Sequence, residues 1–112
     1  MNASANNALQ RLRAMCDGPR DGALLRVSLA NVFLARSDAD NAIAELRRAL
    51  EFDPDYSAAW KLLGKTLGDA GDTQSAIDAY RQGIGAAVRR GDMQAEKEMT
   101  VFLRRLQKRR GL

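Results

Sequence analysis

A chain of 112 residues with no histidine, one cysteine, 46% apolar and 5% aromatic residues carries 18 basic against 14 acidic side chains, a net charge of +4. The length allows one core burying about two thirds of the unfolded chain's surface and leaves no room for a second domain, so residues 1–112 are read as one unit. The lone Cys16 excludes an internal disulfide, the absence of histidine leaves no ligand set for a metal, no apolar run approaches a membrane span, and the polar first residues hold no signal-peptide core, which together point to the cytoplasm.

Ala, Leu and Arg dominate, so an all-α fold of about six helices is expected. Residues 1–20 set Ala5, Leu9, Leu12 and Cys16 on one helical stripe and read as an N-terminal cap helix. The turn formers Asp17-Gly18-Pro19-Arg20-Asp21-Gly22 end it and leave Asp21 as an N-cap for the next helix. From Ala23 to Arg36 the apolar set Leu25, Leu29, Val32 and Phe33 recurs at helical steps, and Ser37-Asp38 turns the chain. A helix over Ala39 to Phe52 presents Ala42, Ile43, Leu46, Ala49 and Leu50 inward. Asp53-Pro54 stops it, because the residue before proline is pushed toward extended backbone, and Asp55 is free to cap the fourth helix.

That fourth helix carries Trp60, Leu63, Gly64 and Leu67. After a Gly71-Asp72 turn, the fifth carries Ala76, Ile77, Tyr80, Gly83 and Ile84 and runs on through Val88. Beyond Gly91-Asp92 a last stripe of Ala95, Met99, Phe102, Leu103 and Leu106 marks a C-terminal cap helix in residues 91–112. If that helix is docked, Phe102→Ala is expected to cost roughly 3 kcal/mol through lost burial and a cavity.

The chain repeats with a period of 34 residues, residues 23–56 lying over residues 57–90. Leu29 falls on Leu63, Phe33 on Leu67, Ser37-Asp38 on Gly71-Asp72, Ala42 on Ala76, Ile43 on Ile77 and Leu46 on Tyr80. A unit of this length cannot bury its apolar face alone and must stack on a neighbour. The second block, with Trp60, Leu63-Gly64, Leu67, Ala76 and Tyr80, resembles the tetratricopeptide repeat. The first keeps Leu29-Ala30, Phe33, Ala42, Leu46, Ala49 and Pro54, with Arg26 in place of the Trp. The resemblance implies helical-hairpin repeats stacked as an α-solenoid, with a cap helix at each end. Its concave face would bind a peptide segment of another protein, without catalysis.

Carried over position by position, the resemblance implies a groove of Leu24, Val27, Asn31, Leu34 and Ala35 from the first repeat and Ala58, Lys61, Lys65, Gly68 and Asp69 from the second. Lys61 and Lys65 lie one turn apart on one helix face, which suits an acidic partner and equally suits a solvated surface. One shallow face of two repeats implies micromolar binding.

No catalytic, cofactor or metal site stands out. Gly64-Lys65-Thr66 ends like a phosphate-binding loop, but Ala59 stands where that loop needs its first glycine. Asp53 and Asp55 begin like a calcium loop, but its twelfth position is Gly64 and not Glu. Cys16 suits the apolar stripe as a small hydrophobe.

Charge is uneven: residues 1–56 carry a net −1 and residues 57–112 a net +5. Arg104, Arg105, Lys108, Arg109 and Arg110 succeed one another without an intervening acid. A second reading therefore has this C-terminal helix contacting nucleic acid through phosphates, with strong salt dependence, while a solvated outer face explains the same residues. A third has an otherwise monomeric chain self-associating weakly where a cap is imperfect.

Overall fold

The computed structural model describes the backbone of residues 3–111 and the side chains of residues 7–111. The side chain of Ala5, assigned above to the N-terminal stripe, lies outside the described residues. Among them are six helices: α1 (Ala3–Met15), α2 (Ala23–Ala35), α3 (Ala39–Phe52), α4 (Ser57–Asp69), α5 (Thr73–Arg90) and α6 (Met93–Arg109). The chain divides into two compact units, Met1–Asp53 and Pro54–Leu112. In the first, α2 pairs with α3 and α1 packs on α2. In the second, α4 pairs with α5, and α6 packs on α5 and touches α4.

Three of the turns share one solution. After α2, α4 and α5 a residue with positive φ breaks the helix: Ser37 at 58°, Gly71 at 88° and Gly91 at 70°. The next residue is always an aspartate, whose N–H reaches back to a carbonyl of the finished helix: Asp38 to Phe33 (2.9 Å), Asp72 to Leu67 (2.9 Å) and Asp92 to Ala87 (2.8 Å). The same aspartate then caps the following helix, its carboxylate accepting from the N–H of Asn41, Ser75 and Ala95 respectively. One residue thus closes one helix and opens the next, which is why these hairpins turn in so few residues.

The two other cap assignments are corrected. Gly22, not Asp21, is the N-cap of α2, and Tyr56, not Asp55, that of α4; neither provides a side-chain cap. Asp55 instead accepts from Arg89 Nε at 2.8 Å.

Asp21 belongs to an ion cluster in the first unit. Arg26, at 8% exposure, donates from Nε to Asp21 Oδ1 (2.9 Å), from Nη2 to Asp21 Oδ2 (2.7 Å) and from Nη1 to Glu45 Oε2 (3.1 Å). Asp17 adds a longer ion pair at 3.6 Å. The backbone N–H groups of Asp17 and Gly22 also donate to Asp21, so its carboxylate fastens the α1–α2 loop to α2 and, through Arg26, to α3. Hydrogen bonds from Arg26 first, then from the backbone of Asp17, hold the Asp21 carboxyl well below the usual carboxylate range. In the second unit Trp60 occupies the equivalent repeat position and does a related job, its indole N–H donating to the carbonyl of Pro54 at 2.8 Å.

Leu29 and Leu46 are fully buried in the first unit, and Leu63, Ile77 and Met99 in the second. Phe102 is only half-buried, so Met99 and not Phe102 is the main anchor of α6. Met99 fits because Gly83 has no side chain: a Cβ there would stand 2.5 Å from Met99 Sδ and 2.6 Å from Trp60 Cβ. Two residues on, a Cβ at Gly85 meets only the mobile end of Arg89, at 3.3 Å. Gly83→Ala should therefore lose about 1 kcal/mol even after its helix-propensity gain, while Gly85→Ala should gain up to about 1 kcal/mol. Chemical denaturation followed by Trp60 fluorescence checks the opposite signs. No helix among the described residues is long and apolar enough to cross a membrane.

Candidate binding pocket

In the second unit, α4 and α6 are tied together toward their N-terminal ends. Ser57 Oγ donates to Asp92 Oδ2 at 3.0 Å, and Lys61 Nζ to Glu98 Oε2 at 3.1 Å. Further along both helices a pocket of about 650 Å³ opens, its base closed by α5.

Its apolar surface comes from Gly64, Gly68, Tyr80, Phe102 and Leu106. Gly64 and Gly68 lie one turn apart on this side of α4; Gly64 is buried, and only at Gly68 is the backbone partly open. The Tyr80 ring fills the space at Gly64, where a Cβ would stand 2.5 Å from Tyr80 Cε1. At Gly68 the nearest atoms to a Cβ would be Ala76 Cβ at 3.7 Å and Leu106 Cδ2 at 3.8 Å, ordinary contact distances. Phe102 tilts against Tyr80 with ring centroids 5.7 Å apart, and Leu106 is buried beside it.

The rim is charged: Lys65 and Asp69 from α4, and Arg105, Lys108 and Arg109 from α6. Lys65 and Asp69 pair along their own helix at 2.8 Å, both well exposed. The Arg105 guanidinium lies 5.9 Å from the centre of the Phe102 ring, so one side chain joins apolar wall to cationic rim. Burial, aided by the Asp69 charge, pushes the Tyr80 phenol up to about 12, so it stays neutral at working pH. The hydrogen bond from Lys61, then one from Gln94, lowers the Glu98 carboxyl, keeping the α4–α6 bridge ionised.

The residues singled out from the sequence fall in different places. Lys65 and Asp69, read as groove residues, and Arg105, Lys108 and Arg109, read as a separate anion-binding cluster, line one pocket. Lys61 is engaged with Glu98 and is not part of its lining, nor is the exposed Arg104. Arg110 bonds to Gln74 of α5. In the first unit Leu24, at 70% exposure, and Asn31 are open on α2, while Val27 and Leu34 are half-buried.

The apolar surface itself escaped the sequence reading. In the sequence Gly64, Tyr80, Phe102 and Leu106 read as packing residues, and Gly68 reads as one groove position of the second repeat. The available signal was the four-residue spacing of the two glycines. Chemically, the pocket can hold an apolar group and meet an adjoining negative charge. No group of three or more metal-ligating side chains is clustered among the described residues.

Comparison with known proteins agrees with the fold. The tetratricopeptide repeat profile matches residues 2–57 and 27–88. The TPR repeat-containing protein PA0015 of Pseudomonas aeruginosa is 52% identical over 90 residues, which cover 80% of this chain and 86% of that protein. The solution structure of protein BPP2914 from Bordetella parapertussis is 45% identical and superposes with a TM-score of 0.78 over 97% of this chain and 91% of the other. The solution structure of a tetratricopeptide repeat domain protein from Salinibacter ruber is 30% identical, with a TM-score of 0.75 over 82% of this chain and 92% of that one.

Proposed function

Because the chain belongs to the tetratricopeptide repeat family, we propose that it is a non-catalytic interaction module of the cytoplasm that binds a segment of another protein in the α4–α6 pocket of its second unit. Repeats of this family generally serve protein–protein interaction and are typically not catalytic. The observation that carries the reading is the pocket itself, about 650 Å³ with an apolar floor and a charged rim that includes Lys65 and Asp69. Leu24, Val27, Asn31 and Leu34 offer a further contact surface on α2 of the first unit, spaced to share one helix face. The rigid helices hold these groups in place, so a bound segment loses freedom while the module loses little.

Gly68→Leu tests this directly, because it fills the pocket from a position where a Cβ makes only ordinary contacts. Helix content by circular dichroism should be unchanged. A pull-down from nuclease-treated lysate should retain a protein on the native chain and lose it on Gly68→Leu. Retention that is unaffected by Gly68→Leu would refute the pocket. Retention that vanishes with nuclease and returns with added nucleic acid would favour the basic helix as a phosphate-binding surface.

A further inference from the structure

The pocket's two chemistries narrow what it accepts. Its floor of Tyr80, Phe102, Leu106 and the partly open backbone at Gly68 offers an entering group dispersion and hydrophobic contact. Such a floor selects a large apolar side chain. Its rim has four cations and one carboxylate, and that carboxylate, Asp69, is already paired with Lys65. Arg105, Lys108 and Arg109 therefore leave the rim with a positive excess. Lys108 and Arg109 lie in the last turn of α6, where the helix dipole alone favours cations. Arg105 lies a turn earlier, set over the Phe102 ring at the edge of the apolar floor, where the dipole has little to offer.

We propose that the pocket recognises an acidic segment of a partner protein, one large apolar side chain seated on the Tyr80–Phe102 floor and neighbouring carboxylates held by Arg105 and Arg109. This rests on the interaction reading above and adds the partner's chemistry. Single-stranded nucleic acid fits less well, because it stacks its bases on open aromatic faces, whereas Phe102 is half-buried against Tyr80 and flanked by Arg105. Exposed Arg–carboxylate contacts contribute little individually, so the apolar anchor supplies most of the affinity and the rim supplies selection between segments.

The probe is a random twelve-residue peptide library displayed on phage and panned against the full chain. Selected peptides are then synthesised and titrated against the native chain, Gly68→Leu and the Arg105→Glu, Arg109→Glu double variant, each checked for native helix content. The expected peptides hold one Phe, Trp or Leu flanked by Asp or Glu. They should bind about tenfold or more weaker to either variant, and replacing their apolar anchor by Ala should cost a similar factor. Peptides that depend on Gly68 but carry neutral or basic flanks would overturn the acidic assignment and leave the interaction reading standing. Absence of any Gly68-dependent peptide would overturn both. Homopolymeric RNA that binds the native chain and Gly68→Leu equally, but fails on the charge-reversed variant, would overturn the proposal in favour of phosphate recognition.

Discussion

Arg26→Ala is expected to destabilise the first unit by about 3 kcal/mol, among the largest losses any single substitution in this chain should produce. The residue is almost wholly buried, and its guanidinium is shared between Asp21 and Glu45. Removing it leaves the Asp21 carboxylate, whose side chain is 6% exposed, facing Glu45 with no cation between them. Arg26→Lys should recover only part of the loss, since an ammonium cannot reproduce the paired Nε and Nη2 bonds to one carboxylate. Arg26→Met tests the opposite possibility, that a well-packed apolar side chain serves as well. Here it should not, because Asp21 would stay buried and unpaired. Thermal denaturation by circular dichroism ranks the three variants.

The cluster also sets a pH dependence. The folded Asp21 carboxyl titrates below its unfolded value of about 3.9, so between the two the unfolded chain binds more protons. Its contribution is therefore present above about pH 4 and is lost as pH falls through the folded value. Asp38, lowered by hydrogen bonds from the Asn41 side chain and backbone, acts in the same direction. In Asp21→Asn the acid limb of the stability profile should flatten without disappearing. An unchanged acid limb would contradict the assigned bonds.

Met99→Ala is expected to cost about 3 kcal/mol, and Phe102→Ala about 1 kcal/mol, although the two residues lie one turn apart on the same apolar stripe of α6. Met99 is fully enclosed, its sulfur seated against the Gly83 backbone beside Trp60, so truncation opens a cavity that rigid neighbours cannot fill. Phe102 forms a pocket wall, and its loss only widens a space that is already open. The contrast extends to binding, where the order reverses: Phe102→Ala should weaken peptide affinity more than any Arg rim substitution, as half of the aromatic floor goes with it. Urea denaturation read by Trp60 fluorescence, with peptide titration alongside, separates the two effects. Equal stability losses would mean that α6 is anchored through Phe102 after all.

The helices were legible because their periodicities are strong and their breaks are sharp. Ala39 to Phe52 and the extension of the fifth helix through Val88 lie where the apolar spacing and the Asp53-Pro54 stop put them. The turns were half legible. Ser37-Asp38, Gly71-Asp72 and Gly91-Asp92 mark breaks in any reading, but the double service of each aspartate depends on a left-handed residue before it. At Ser37 nothing in the residue type announces one. Asp21 and Asp55 misled because an aspartate before a helix suits an N-cap equally well until a nearby arginine, Arg26 or Arg89, competes for its carboxylate.

The sequence by itself determined the repeat, the family and the six helices, since these follow from local spacing that each segment carries in its own residues. Only the tertiary structure decided which stripe residue is core and which is wall, and that Lys65 on α4 and Arg105 and Arg109 on α6 serve one pocket. Lys61, one turn before Lys65, is instead paired with Glu98 and does not line that pocket. The reason is geometric. A helical period fixes which way a side chain faces on its own helix, but what it meets there depends on where the neighbouring helix stands, and here that is set by two glycines, Gly64 and Gly83, admitting Tyr80 and Met99.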